Sequence, residues 1–289
     1  MLTVLKPGLL TTVQDQGRAG YQRHGIVVGG AVDPFAARVA NLVAGNAGGA
    51  AVLELAFIGP ELRAGADLLV AVCGADFDFK VGGKEMPRDR PVAARRGEVL
   101  SFGPARAGAR ACLAVAGGID VPAVLGSRST YVRGRLGGFE GRPLVAGDVV
   151  KTGRPADWAA RLWQGLINTP DRAAAWSVRP ETLGRVSGGA TVRAVRGPEW
   201  EHFNADAQHT VFGAEYTVTK DIDRMGMRLS GPPLRLKQPR EEISSAVNVG
   251  VVQVPANGQP IVLLVGRQSV GGYARIAAVA TVDLGKLAQ

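Results

Sequence analysis

The sequence predicts a mainly β protein with few helices, arranged as two barrels that repeat one another. Three features point there: dense turn residues, short apolar segments at regular spacing, and an echo between the two halves. Glycine occurs 40 times and proline 17 times in 289 residues. Tight turns between strands need that punctuation, and helix-rich chains rarely carry it. Hydrophobic residues reach 46%, enough to bury a sizeable core.

From 51 to 150 the segments AVLELAFIG, DLLVAVCGA, FDFKVGG, GEVLSFGP, ARACLAVAGG and GDVVKTG read as strands bounded by Gly or Pro. Several start about ten residues apart, which suits a barrel or sandwich better than a βαβ sheet. One helix is expected after Asp33, which can cap it, with Pro34 at its first position and Gly45-Asn46 as its stop. Its apolar face is read as Phe35, Val39, Leu42 and Val43. RPADWAARLWQGL, from 154, suits a short amphipathic helix. An irregular connector follows to Ser187-Gly188-Gly189, and strand patterning resumes at TVRAVRGP and runs to the end. The boundary is placed there, giving domains 1–188 and 189–289.

VQDQGRAGY (13–21) is echoed by VTKDIDRMGM (218–227). VLSFGPARAG (99–108) is echoed by VVQVPANGQP (251–260), and LGSRSTYVRGRLGGF (125–139) by VGRQSVGGY (265–273). Three matches in one order indicate an internal duplication, and a duplicated protein often places its site in the cleft between the copies.

Several classes of function are disfavoured. The net charge is +9, but the arginines are dispersed and no aromatic-basic signature of nucleic-acid binding appears; a basic surface facing an acidic partner protein fits better. The start MLTVLKPGLL is broken by Lys6-Pro7-Gly8 and does not read as a secretory signal. No apolar run approaches the roughly 18–20 residues of a membrane span, so a cytoplasmic protein is expected. Cys73 and Cys112 lie in apolar runs and read as buried, reduced thiols. His24, His202 and His209 form no metal-ligand pattern. Neither a dinucleotide fingerprint nor a phosphate-binding loop is present.

Three motifs concentrate polar groups among glycines. TTVQDQGRAGYQRHGIVVGGAVD (11–33) offers Arg18, Tyr21 and Asp33; its structural reading pairs Arg18 with Asp15 or Asp33. GGID…LGSRSTYVRGRLGGFEGRPLVAGD (117–148) offers Ser127, Arg128, Ser129, Thr130, Tyr131, Arg133, Arg135 and Arg142. Hydroxyls, amides and guanidiniums together suit a carboxylate, phosphate or ureido group. No serine sits in a nucleophile elbow, so the motif reads as binding and polarisation. VVQVPANGQPIVLLVGRQSVGGYARI (251–276) offers Gln253, Arg267, Gln268 and Tyr273 as a matching wall.

Taken in order, TTVQD-x-GR-x-GY, LGSRSTY…GGF-x-GR and QVP-x-x-GQPIVLL…RQ-x-x-GGY resemble the carboxyltransferase-like family called allophanate hydrolase subunit 2. That family includes the C-type subunits of 5-oxoprolinase and Kip-type antagonists of a histidine-kinase inhibitor. The resemblance covers about residues 3–289. It implies two cyclophilin-like barrels, a B-type partner that is similar to the Kip-type inhibitor, and a more distant A-type partner. It also implies ATP-driven hydrolysis of 5-oxoproline to glutamate by the assembled complex. No cofactor is expected in this chain itself; the complex would use ATP. On this reading Arg128 and Arg267 are the catalytic donors that stabilise the amide in an imidate-like form. Arg18, Tyr21, Ser127, Ser129, Thr130, Tyr131, Gln253, Gln268 and Tyr273 bind the substrate, and no metal is expected.

The chain departs from the family pattern where that pattern carries carboxylates. Ser244-Ser245-Ala246 stands for Ser-Glu-Gly, Gly266 stands for Asp, and Ser269-Val270 stands for Thr-Thr. Carboxylates are natural general bases, and Asp33, Asp120, Asp148, Asp221 and Asp223 are among those that remain. Two other readings follow from the resemblance: a biotin-dependent carboxyltransferase component, and a non-enzymatic antagonist of a Kip-type inhibitor.

Overall fold

A computed structural model describes residues 1–179 and 188–289; residues 180–187 of the expected connector lie outside the described residues. The chain divides into two units. Unit 1 comprises Met1–Arg18, Asp33–Ala190 and Gly285–Gln289; unit 2 comprises Ala19–Val32 and Thr191–Leu284. The fold is mainly β, and every strand pairing in the sheets is antiparallel.

Unit 1 contains β1 (Leu2–Lys6), β2 (Leu10–Gln14), β3 (Val52–Ala56), β4 (Glu61–Ala64), β5 (Leu68–Val81), β6 (Lys84–Glu85), β7 (Val92–Ala94), β8 (Val99–Val115) and β9 (Val149–Val150). They run in the order β2-β3-β8-β4-β1-β9, with β5 pairing β6, β7 and β8. Four of the expected short segments fuse into two long strands here: β5 takes in two, and the 17-residue β8 takes in two. Register shifts between Gly74 and Phe79 are bulges that bend this pair. One end of β8 therefore pairs β3 and the other pairs β4, curling the sheet around a core that includes Leu53, Leu62, Val70, Phe77, Leu100 and Leu113. Phe79 and Phe102 stack within it at 4.8 Å. Cys73 and Cys112 stand opposite one another on β5 and β8, both buried.

Helix α1 (Pro34–Ala44) begins and ends as expected. Asp33 Oδ1 accepts from Ala36 N at 2.9 Å, and Gly45 adopts φ 87°. Its buried face differs from the expected one. Ala36, Ala37, Ala40, Val43 and Ala44 pack inward, while Phe35 and Leu42 are exposed, because small side chains let the helix approach β5 and β8 closely. Helix α2 (Asp157–Leu166) buries Ala159 and Leu166.

Burial pushes the Asp33 carboxyl up to about 6 from the ordinary 3.8, opposed by hydrogen bonds from the Ala36 amide and the Gln289 side chain and assisted by nearby Glu54. The folded chain therefore holds this proton more tightly than the unfolded chain does. The stability that results is present below about pH 4 and is lost as pH rises through about 6, about 3 kcal/mol in all. Asp33→Asn keeps the helix cap and should flatten the pH 4–6 limb of a urea-unfolding series; an unchanged limb would assign it to another group.

Unit 2 contains β10 (Ala194–Arg196), α3 (Ala205–Gly213), β11 (Thr217–Ile222), β12 (Gly226–Ser230), β13 (Ser245–Ala246), β14 (Val251–Val254), β15 (Ile261–Leu263), β16 (Val270–Gly271) and β17 (Ala274–Val279). The main sheet runs β10-β17-β14-β15-β12-β11, and β13 pairs β16 apart from it. Strand patterning does not run unbroken to the end. Asn204 caps α3 by accepting from Ala207 N at 2.8 Å, and Leu284–Leu287 forms a helical turn, α4, whose last three residues belong to unit 1. The echoed segments also pair differently in the two halves. Residues 99–115 are one strand, whereas 251–263 is the hairpin β14–β15. Among the described residues, no helix is long and apolar enough to cross a membrane.

Candidate functional site

The 117–148 motif is organised by a carboxylate that the sequence reading treats only as a partner for Arg18. Leu125 and Gly126, at φ 52° and 76°, fold Ser127 back toward the end of β2. There the buried Asp15 accepts four hydrogen bonds: from Ser127 Oγ at 2.7 Å, Ser129 Oγ at 2.5 Å, Arg128 N at 2.5 Å and Gly17 N at 2.8 Å. Burial alone would raise this carboxyl, but the four donors outweigh it and hold Asp15 below the ordinary carboxylate range. Such a carboxylate is a weak base, so the geometry does not make Ser127 or Ser129 a nucleophile. Thr130 is likewise occupied, its N–H and Oγ1 both donating to Val13 O at 2.9 Å. Tyr131 is half-buried and pairs with Leu136 through its backbone.

Arg128 stands apart from these internally bonded groups. Its Nε donates to Val121 O at 2.8 Å. The side chain is exposed, and Nη1 and Nη2 have no partner among the described residues. A guanidinium anchored at Nε presents a planar pair of donors suited to a carboxylate or a polarised carbonyl.

Arg18 is the opposite case, only 1% exposed. Its Nη2 donates to Ser129 O at 2.5 Å and its Nε to Val124 O at 3.5 Å, while the buried Nη1 has no partner. It pairs with neither Asp15 nor Asp33, contrary to the structural expectation. Burial lowers its pKa, and the Asp15 charge opposes that from a distance. A buried guanidinium with an open donor calls for an acceptor from outside the fold, a water or a ligand. Arg142 is tied to Asp148 at 2.7 and 2.9 Å and to Glu140 at 2.8 Å, which makes both Arg142 and Asp148 structural.

In unit 2, Arg267 is buried, which lowers its pKa. Its Nε donates to Val247 O at 3.1 Å and its Nη2 to Asn248 Oδ1 at 3.5 Å. Arg128 and Arg267, at echoed positions, are thus each anchored through Nε to a valine carbonyl. Gln253 is buried with its Nε2 3.4 Å from Tyr273 O, while Gln268 and Tyr273 are exposed. Gly266, where the resemblance implies an aspartate, is crowded by the Arg224 backbone. Its N–H donates to Arg224 O at 2.6 Å, and a Cβ there would lie 2.9 Å from the same oxygen. Asp223 caps the adjacent turn through Met225 N at 2.6 Å. The first motif is divided between the units: Arg18 belongs to unit 1 and Tyr21 to unit 2. The segment after Tyr21 is bonded to the Arg267 loop by Gly29 N–Val265 O at 3.2 Å and to the β11–β12 turn by Arg224 Nη2 donating to Gly30 O.

Asp15 is the residue sequence reasoning placed wrongly. Its signal was Asp15-Gln16-Gly17, an aspartate two residues before a glycine whose amide it can accept.

These features define a mainly β protein with glycine-rich loops that hold guanidiniums by their Nε atoms. The chain belongs to the family described as carboxyltransferase domain, subdomain A and B, whose model matches residues 24–289. It is 36% identical over 295 residues to the C-type subunit of 5-oxoprolinase from Haemophilus influenzae, covering 100% of this chain and 87% of that protein. Among solved structures it resembles TTHA0988, with a TM-score of 0.81 and 37% identity over 100% of this chain, and spans about half that chain's length, 53%. It also resembles the Kluyveromyces lactis urea amidolyase, with a TM-score of 0.86 and 28% identity, covering 100% of this chain and 18% of that one.

Proposed function

We propose that this chain is the C-type component of an ATP-dependent 5-oxoprolinase, working with A-type and B-type partners to hydrolyse 5-oxoproline to glutamate. The observation that carries the chemistry is the Arg128 guanidinium, fixed at Nε and open at both Nη atoms. It suits a group that must hold an amide oxygen or a carboxylate while charge builds there. In unit 2, Arg267 is held in the same way through its Nε.

The need for ATP follows from the substrate. An unstrained lactam carbon is a poor electrophile, and its oxygen is no leaving group. Transfer of the γ-phosphoryl of ATP to that oxygen releases ADP. Water then adds at the carbon and the ring C–N bond breaks, its nitrogen taking a proton, which leaves an acyl phosphate; a second water releases phosphate and the free carboxylate. This chain's donors would stabilise the amide in the imidate-like form that accepts the phosphoryl group. The nucleotide and the general base are assigned to the partner proteins; Asp15, bonded to the Arg128 amide, is saturated with donors.

Glutamate release from 5-oxoproline with ATP should require all three components and fall to background when this chain is omitted. Release that continues without it would remove the assignment. The family description favours a second reading, biotin-dependent carboxyl transfer. That reading would be selected if the assembly ignores 5-oxoproline but this chain binds a biotinylated carrier. A tight complex with a Kip-type partner that shows neither activity would select the regulatory role.

A further inference from the structure

Arg128 can act as an anchored donor only if its backbone is also fixed, and the side-chain bond to Val121 O does not do that. The fixing comes from Asp15. Its Oδ2 accepts the Arg128 N–H at 2.5 Å. Its Oδ1 accepts both flanking hydroxyls, Ser127 Oγ at 2.7 Å and Ser129 Oγ at 2.5 Å, together with Gly17 N at 2.8 Å. Each hydroxyl also accepts a main-chain amide: Ser127 Oγ from Ser129 N at 3.0 Å, and Ser129 Oγ from Asp15 N at 3.1 Å. Those amide contacts leave each hydroxyl proton directed at the carboxylate. The segment 127–129 is therefore wrapped around one negative charge more than a hundred residues away in sequence.

We propose that Asp15 is a positioning residue that sets the backbone of Arg128, so that its two open nitrogens face the ligand. Asp15 itself is enclosed by donors and does not touch the ligand. The proposal rests on the reading that Arg128 holds the substrate. A carboxylate suits this task better than a neutral amide, because all four of its partners are donors and an asparagine would turn an N–H toward one of them.

The test is a double-mutant cycle on the assembled complex with 5-oxoproline and ATP, comparing wild type, Asp15→Asn, Arg128→Ala and the double variant. Asp15→Asn should lower kcat/KM by roughly tenfold or more, yet add little in the Arg128→Ala background, because a residue acting through Arg128 has nothing left to position. Losses that multiply in the double variant would overturn the proposal. Ser127→Ala, which removes one donor and leaves the carboxylate, should give a smaller loss that also vanishes without Arg128; it serves if Asp15→Asn does not fold.

Hydrogen exchange on this chain alone gives a readout independent of the substrate. In Asp15→Asn the amides of Gly17 and Arg128 should exchange at least roughly tenfold faster, while that of Leu113, deep in β8, stays unchanged. Unaltered exchange at Arg128 would overturn the positioning role. If the wild-type complex fails to turn over 5-oxoproline while Arg128 exchange responds as expected, the functional reading falls and the backbone hub stands.

Discussion

Replacing Arg128 with alanine should reduce kcat/KM of the assembled complex for 5-oxoproline by about 100-fold or more, the size of effect seen when one donor to a developing negative oxygen is removed. Stability should hardly change. The side chain is exposed, and its one internal side-chain bond runs from Nε to Val121 O; the bond that orders its backbone uses the peptide N–H, which alanine keeps. Melting temperature should therefore stay within about 2 °C of wild type, a surface-substitution effect. Arg128→Lys should recover only part of the loss, because an ammonium cannot present two parallel donors from a plane anchored at Nε. Turnover within about twofold of wild type for Arg128→Ala, well short of the loss expected for a donor to the reacting oxygen, would remove Arg128 from the chemistry.

Local structure is more legible in the sequence than the site is. The helix at 34–44 can be read at both ends because its cap, its first-turn proline and its stop glycine are adjacent in sequence. Its buried face cannot, because period alone favours Phe35 and Leu42, and only the close approach to β5 and β8 selects the alanines. The short-strand reading of 51–150 fails where bulges carry a strand through a glycine, as at Gly74 in β5. In the site, the arginines are visible because their chemistry is conspicuous among glycines. Asp15 is not, because its meaning depends on Ser127–Ser129 folding back over more than a hundred residues. The hydroxyls of Ser127, Ser129 and Thr130 look like ligand contacts in the sequence for the same reason. Composition shows that a hydroxyl exists, but only the fold shows that its proton already has an acceptor.

Gly138→Ala should destabilise the chain by about 3 kcal/mol. Gly138 sits at φ 57°, and a Cβ there would lie 1.8 Å from Thr130 Oγ1 and 2.9 Å from Thr130 Cα. The left-handed conformation costs a β-carbon about 1–2 kcal/mol, and overpacking against a fixed neighbour adds about 1–3 kcal/mol. Thr130 cannot yield easily, because both its N–H and its hydroxyl are bonded to Val13 O on β2. The turn at 137–138 and the Ser127–Thr130 segment must therefore shift together, which would also disturb the Arg18 contact with Ser129 O. Gly126→Ala is the control: it lies at φ 76° with nothing within 4 Å of its added Cβ, so it carries the conformational cost alone. The comparison is thermal unfolding of both variants, with Gly138→Ala melting several degrees lower at about 2–4 °C per kcal/mol. Equal melting temperatures would mean that Thr130 and its bond to β2 give way at little cost, and that the 125–139 loop is held less firmly than its hydrogen bonds indicate.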